Sequence, residues 1–316
     1  METNRQLIGE VGIVRPIDLY STVLRRLIRR SFGLWQRLGF HVSPNHFYEP
    51  IPDTRYLSSA LWSRLSDLPG IDLRERDQLA LLAEFARDFG PEYNAFSPKA
   101  TPYPWEYYTG NGAFESVDGE VLYCMIRRFK PKRIFEIGSG YSTYLAAQAV
   151  LANHRTYGAS CDLIAFEPFP NEVLKRGFPG LTDLVQARIQ DVPLSTFDKL
   201  EQNDILFIDS SHILAIGSDV QFEYLDILPR LRPGVLVHAH DIFLPAEYPR
   251  HWVLRDHRFW TEQYVLQAFL SFNNAFRVLW AGNYMALKHP GELEAAFSSF
   301  RQGSVTPGSF WIVRDT

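Results

Sequence analysis

The sequence predicts an α/β fold: a doubly wound, mostly parallel sheet of seven strands with helices on both faces and a late antiparallel strand. Three observations predict it. An apolar run, Ile134 to Ile137, breaks into two glycines spaced by one residue, Gly138 and Gly140. Helical spacing follows at once in Leu145, Ala146, Ala149 and Val150, giving strand, glycine turn and helix. Short apolar runs then alternate with helical patterns, the signature of repeated βα units and a parallel sheet.

The elements follow in order. Residues 1–20 read as irregular, and Ser21 to Arg30 as a short helix with a solvated face carrying Arg25, Arg26, Arg29 and Arg30. Three prolines between His41 and Asp53 forbid a regular element there, and this His- and aromatic-containing loop is expected to cover a pocket. Helices are expected from Thr54 to about Leu65, from Asp77 to Phe89 and from Ser116 to Phe129. Gly90-Pro91 stops the second of these. Residues 91–112, rich in Pro, Tyr and Trp, read as a linker wrapped over the main domain. Later strands are expected at Leu163–Phe166, Leu184–Gln186, Ile205–Ile208, Val235–Val237, Phe276–Trp280 and Phe310–Val313. Ser218 and Thr261 open the helices between them. The last strand is expected to add antiparallel near the edge. The domain boundary is placed at 112/113, with 1–112 a mainly helical accessory lid and 113–316 the ligand-binding domain.

Composition narrows the class. Of 316 residues, 46% are hydrophobic, ample for a core, and the net charge of −4 provides no field for nucleic acid. No apolar run approaches the roughly 20 residues that span a bilayer, and the polar first residues lack an apolar signal segment. The two cysteines, Cys124 and Cys161, have no metal-ligand spacing and are expected to be reduced thiols of a cytoplasmic protein. A homodimer is expected.

In such sheets the ligand lies outside the carboxyl ends of the strands. Those ends carry Glu136, Glu167, Asp209 and His240-Asp241, more acid than packing requires, since a buried carboxylate needs a partner. Gly138 and Gly140 allow a ligand to approach the main chain, with Ser139, Ser142 and Thr143 beside them. Glu167 can accept both hydroxyl protons of a ribose. Asp191, after the third strand, can accept from an adenine amino group. Both demands are shared by S-adenosylmethionine (SAM) and NAD.

The matching segments are Phe135-Glu136-Ile137-Gly138-Ser139-Gly140-Tyr141-Ser142-Thr143, Glu167-Pro168, Gln190-Asp191, Phe207-Ile208-Asp209-Ser210-Ser211-His212 and Val237-His238-Ala239-His240-Asp241-Ile242-Phe243. From about Ser116 to the end, the chain resembles a class I SAM-dependent methyltransferase, of the subgroup called methyltransferase family 24. The resemblance implies a Rossmann-like sheet. It implies the methionine part of SAM over Glu136, Gly138, Ser139 and Gly140, with Ser142 and Thr143 opening the helix. It puts the ribose on Glu167, the adenine by Asp191, and Asp209 and Ser210 on the cofactor side of the fourth strand. The family's members mostly methylate small molecules, often on oxygen.

Loss of a hydroxyl proton needs a base, and His suits it near neutral pH. Five of the nine histidines fall between His212 and His257. His212 and His240, nearest the strand ends, rank first as bases, with Asp209 or Asp241 to orient them. His238 shares the face of His240, and at least one of them is expected to be a core histidine. A second version makes Asp209, His240 and Asp241 a divalent-metal site of the catechol-methyltransferase kind. It ranks second because Ile242 stands where that family has an amide ligand. His46, Tyr48, Tyr248 and Trp252 are the candidate acceptor contacts, the last two in a long aromatic and Arg-bearing insertion from Ile242 to Trp260 that suits a flat or apolar acidic acceptor.

The sequence therefore predicts a SAM-dependent methyltransferase acting on a hydroxyl or carboxylate oxygen of a small molecule. Two rivals are an NAD(P)-dependent dehydrogenase on the same sheet, against which Thr143 in the third glycine position counts, and a catalytically silent binding or dimerisation protein.

Overall fold

The structure, a computed structural model, describes residues 19–315. The chain divides after Ser58 into two compact units. In the first, helix α1 (Leu19–Arg30) is followed by α2 (Phe32–Arg37). Arg29 pairs with Glu49 at 2.9 Å, and Asn45 donates to Asp53 at 2.8 Å. The part of the expected irregular N-terminus before Leu19 lies outside the described residues.

The second unit begins at Ser59, earlier than the 112/113 boundary expected from sequence. The reason is helix α3 (Glu75–Tyr93), which buries Leu81, Leu82, Phe85, Phe89 and Tyr93 in the main core. The helix expected from Thr54 to Leu65 is not formed. Its residues make two short turns, Thr54–Tyr56 and Ala60–Ser63, and neither buries a side chain that would favour a longer helix.

Seven strands form one sheet: β1 (Arg133–Ile137), β2 (Asp162–Phe166), β3 (Asp183–Val185), β4 (Ile205–Ile208), β5 (Leu236–Ala239), β6 (Phe276–Ala281) and β7 (Phe310–Arg314). Their order is β3-β2-β1-β4-β5-β7-β6. The first five are parallel, and β7 runs antiparallel to both its neighbours. The last strand thus slots between β5 and β6, leaving β6 at the edge. Phe310, Trp311 and Ile312 are all buried, so this strand needs cover on both faces and neighbours on both sides.

Side chains alternate across the sheet. Phe135, Ile137, Leu206, Ile208, Val237 and Ala239 pack into one core, and Ile134, Ile205, Phe207 and Leu236 into the other. Helices α4 (Asp118–Phe129) and α5 (Tyr141–Tyr157) cover the second face. The parity that sends Ile134 and Leu236 there sends Glu136, His238 and His240 there too. Helix α5 begins where the Gly140 N–H donates to Thr143 Oγ1 at 3.0 Å, and ends at Gly158, whose left-handed φ of 67° closes it. The helix expected after Ser218 is one α turn followed by a π turn at Glu223–Ile227. Among the described residues, no helix is long and apolar enough to cross a membrane.

Candidate active site

The sheet order reverses between β1 and β4, and there the carboxyl ends splay into a crevice. Gly138 lies at that point with φ of 87°, closed to most side chains. Its N–H donates to Phe166 O, while Asp209 N–H donates to Ile137 O at 2.9 Å. Glu136 is buried beneath the turn. One carboxylate oxygen accepts from Ser142 Oγ at 2.7 Å, and the other has no partner among the described residues. Burial pushes its pKa up, hydrogen bonds from Ser142 and Thr143 oppose this, and the outcome is about 8. Beside the turn, the position above Gly140 is open. A cavity of about 410 Å³ lies against it, lined by Gly140, Tyr141, Tyr144, Tyr103, Tyr108 and Asn171. An orphaned buried carboxylate oxygen and a bare glycine backbone fit the α-ammonium end of a methionine-derived cofactor.

Glu167 follows β2. One oxygen accepts from Phe169 N–H at 2.8 Å and the other faces Ser139 Oγ at 3.4 Å. Its loop is therefore preset with one oxygen loosely held, as a diol acceptor requires. Asp191 stands exposed, with both oxygens taken by Arg188 at 2.9 and 3.0 Å. Ser142 and Ser210 turn their hydroxyls inward, to Glu136 and Glu223.

The second group gathers at the ends of β4 and β5. Asp209, His240 and Asp241 offer ligand atoms that all lie within 4.8 Å of one another. His212 Nε2 lies 3.3 Å from Asp209 Oδ1 and 3.6 Å from Asp241 Oδ2. His212 and Asp241 both hold left-handed backbone, φ 62° and 56°, strain that costs on the order of 1–3 kcal/mol each and collects at functional sites. Asp118 of α4 supports this geometry from below. Its carboxylate accepts from the Gly308 and Ser309 N–H groups at 2.8 and 2.9 Å, and Gly308 O accepts from Ile242 N–H.

Charge balance in the cluster is mutual. Burial works to raise the Asp209 pKa, but His240 and His212 bring it down to about 2. Burial works against protonation of His212, and Asp209 and Glu262 overcome it. His240 is likewise raised by Asp241 and Asp209 against its burial. His240 Nδ1 has no partner among the described residues. His238 behaves otherwise. It is fully buried, stacked on Phe207 at 4.0 Å with Nε2 near Ser309 Oγ, and burial drives its pKa well down. It is the core histidine of the pair.

Of the candidate acceptor contacts, Tyr248 and Trp252 both pack on Phe243 and Trp260. Tyr248 is buried, and its hydroxyl accepts from Gln263 N–H at 3.0 Å. Trp252 packs edge-on against Phe243 and Trp260, with Arg258 over both indoles. The insertion thus folds on itself, and Trp260 ends it against the His212 ring, 4.3 Å between centroids. His46 and Tyr48 belong to the first unit, where their rings stack at 5.3 Å. Sequence reasoning missed Glu262, fully buried with one oxygen 2.8 Å from His212 Nδ1. An acid in the first turn of a helix is ordinarily a partner of the helix dipole, so nothing in the sequence distinguished it.

A family model described as a methyltransferase domain, methyltransferase family 24, matches residues 135–242. An uncharacterized protein of Archaeoglobus fulgidus is 31% identical over 201 residues, covering 59% of this chain and 88% of that relative. Among solved structures, an apo-structure of CmcI is 16% identical, covers 80% of this chain and 88% of its own, and has a TM-score of 0.38. CmcI with magnesium and SAM is 15% identical, with coverage of 83% and 97% and a TM-score of 0.35.

The fold and the glycine-turn site define a class I SAM-dependent methyltransferase. Within that class, residues 135–242 match the methyltransferase family 24 domain.

Proposed function

We propose that the protein transfers the SAM methyl group to a hydroxyl or carboxylate oxygen of a small molecule, presented at the Asp209, His240 and Asp241 cluster. The convergence of these three side chains beside the glycine turn carries the reading. Two carboxylates and an imidazole whose Nε2 lies 3.7 Å from Asp241 Oδ1 form a donor set suited to a divalent cation. Such a cation, when bound, would hold the acceptor oxygen and lower its pKa. The chain's own residues do the rest. The glycine turn and Glu167 hold the cofactor at β1 and β2, Trp260 walls one side, and the strained turns at His212 and Asp241 fix the side chains around the acceptor oxygen. Methyl transfer from a sulfonium needs chiefly an in-line nucleophile at near-attack distance.

A second reading has its own observation. His212 is backed by a buried carboxylate, Glu262, at 2.8 Å, the arrangement of an imidazole base with its orienting partner. In that reading no cation is needed, and His212 takes the acceptor proton. An acceptor with a flat or apolar body and an acidic group remains the expected class, supported by the indoles and Arg258 beside His212. Screening small-molecule pools with methyl-labelled SAM and mass spectrometry tests the proposal. Oxygen-methylated product is expected, and label appearing only on nitrogen or carbon would contradict it.

A further inference from the structure

We propose that Glu262, steadied by Tyr224, is a positioning residue that aims the His212 imidazole into the acid cluster at the ends of β4 and β5. The inference rests on the reading of that cluster as the acceptor site.

Glu262 has no exposed surface, and both its oxygens are engaged. One meets His212 Nδ1 and the other accepts from Tyr224 O–H, each at 2.8 Å. A buried carboxylate this well satisfied has little freedom to turn. The backbone adds a clamp from the same helix start. The N–H groups of Thr261 and Glu262 both donate to His212 O, at 2.9 and 3.2 Å, and Thr261 Oγ1 accepts from Leu214 N–H at 2.7 Å. Main chain and side chain of His212 are thus held by one short segment. With Nδ1 committed to Glu262, the other nitrogen has one direction left, toward Asp209 and Asp241.

Tyr224 reaches Glu262 from the π turn Glu223–Ile227. A π turn inserts one residue into the helical repeat and re-aims its neighbours, and such turns recur at functional sites. Here consecutive side chains serve the crevice: Glu223 receives Ser210 Oγ at 3.1 Å, and Tyr224 steadies Glu262. The insertion 242–260 ends one residue before this clamp, so its closing Trp260 is placed on the ring that Glu262 holds.

The test uses the full chain and the variants Glu262→Gln, Glu262→Ala and Tyr224→Phe. Histidine-labelled protein is read by nitrogen-15 NMR, and kcat and KM are measured with an acceptor from the labelled-SAM screen. The wild type should show a slowly exchanging Nδ1 proton on His212, assigned by its loss in His212→Asn. Glu262→Ala should lose that proton and drop kcat by roughly 10²-fold, the scale of a misplaced catalytic group, with KM for SAM unchanged. Glu262→Gln keeps an oxygen for Nδ1–H and should keep the signal and most of kcat, and Tyr224→Phe should fall between. Retention of the signal in Glu262→Ala would overturn the proposal. So would a Glu262→Gln protein as slow as Glu262→Ala, or a KM for SAM that moves together with kcat. His240→Ala separates the two failures. If it is slow while Glu262→Ala is not, only the positioning role falls. If His240→Ala retains full turnover, the acceptor-site reading falls.

Discussion

A methyl group on Gly138 would run into the carbonyl oxygen of Asp209. The turn that opens the cofactor crevice on β1 and the acid that opens the acceptor cluster on β4 are therefore packed backbone to backbone. The glycine serves a close approach as well as its left-handed φ of 87°.

Gly138→Ala should consequently damage both halves of the site. The added carbon must displace Asp209 or the turn, and a Cβ at positive φ is strained in addition. Thermal denaturation should show a stability loss of at least about 1 kcal/mol, and calorimetry should show SAM binding weakened. Wild-type affinity in this variant would mean that the turn does not carry the cofactor.

Glu167→Ala removes the carboxylate whose loosely held oxygen faces the crevice. Hydrogen bonds to a charged group are worth about 1.5–3 kcal/mol, so SAM affinity should fall roughly tenfold or more. The variant should stay folded, because the Glu167 side chain makes one close hydrogen bond, from Phe169 N–H of its own loop, and one long one, from Ser139 Oγ. Unchanged affinity would remove the ribose from this position.

Glu136 makes SAM binding and stability pH-dependent in opposite directions. Its folded pKa, about 8, lies above the ordinary carboxylate value near 4.5. Between those values the folded state binds the proton that the unfolded state has lost. Stability from this group is present at the acidic end and falls as pH rises through the window, by up to about 1.4 kcal/mol per unit. A cationic ammonium beside the orphaned oxygen favours the carboxylate, so SAM binding should release a proton and tighten as pH rises toward 8. Calorimetry in buffers of different ionisation enthalpy should detect that proton in the wild type and lose it in Glu136→Gln. Equal release by both proteins would place the ammonium elsewhere.

His240→Ala and Asp241→Asn each remove one donor from the cluster and leave the glycine turn untouched. Both should bind SAM normally and lose turnover by two orders of magnitude or more, as for groups acting at the reacting oxygen. Mn²⁺ titration followed by electron paramagnetic resonance should find wild-type binding weakened in both. Binding of equal strength in all three proteins would locate the cation elsewhere.

Much of the fold was legible because its signals are local. Ile134–Ile137 and Ile205–Ile208 are short apolar runs with a turn behind them, and they became β1 and β4. Glu136, Asp209, His240 and Asp241 stood out because an acid or imidazole at the end of a buried strand has no packing reason to be there. What was hidden depends on tertiary placement. The sequence does not say that α3 belongs to the main core, because an amphipathic helix does not name the surface it covers. Nor does it say that β7 inserts between β5 and β6. Nor does it say that the Tyr248 hydroxyl accepts from Gln263 N–H. Glu262 lies fifty positions from His212, and only the folded chain brings an ordinary helix-start acid onto that ring.

The most direct test of the central claim is transfer of labelled methyl from SAM by metal-stripped protein, with and without added cation. Oxygen-linked product should vanish after EDTA dialysis and return on adding Mg²⁺ or Mn²⁺, while SAM still binds the stripped protein. Full transfer by protein shown to be metal-free by elemental analysis would contradict the cation-assisted account and leave His212, oriented by Glu262, as the base.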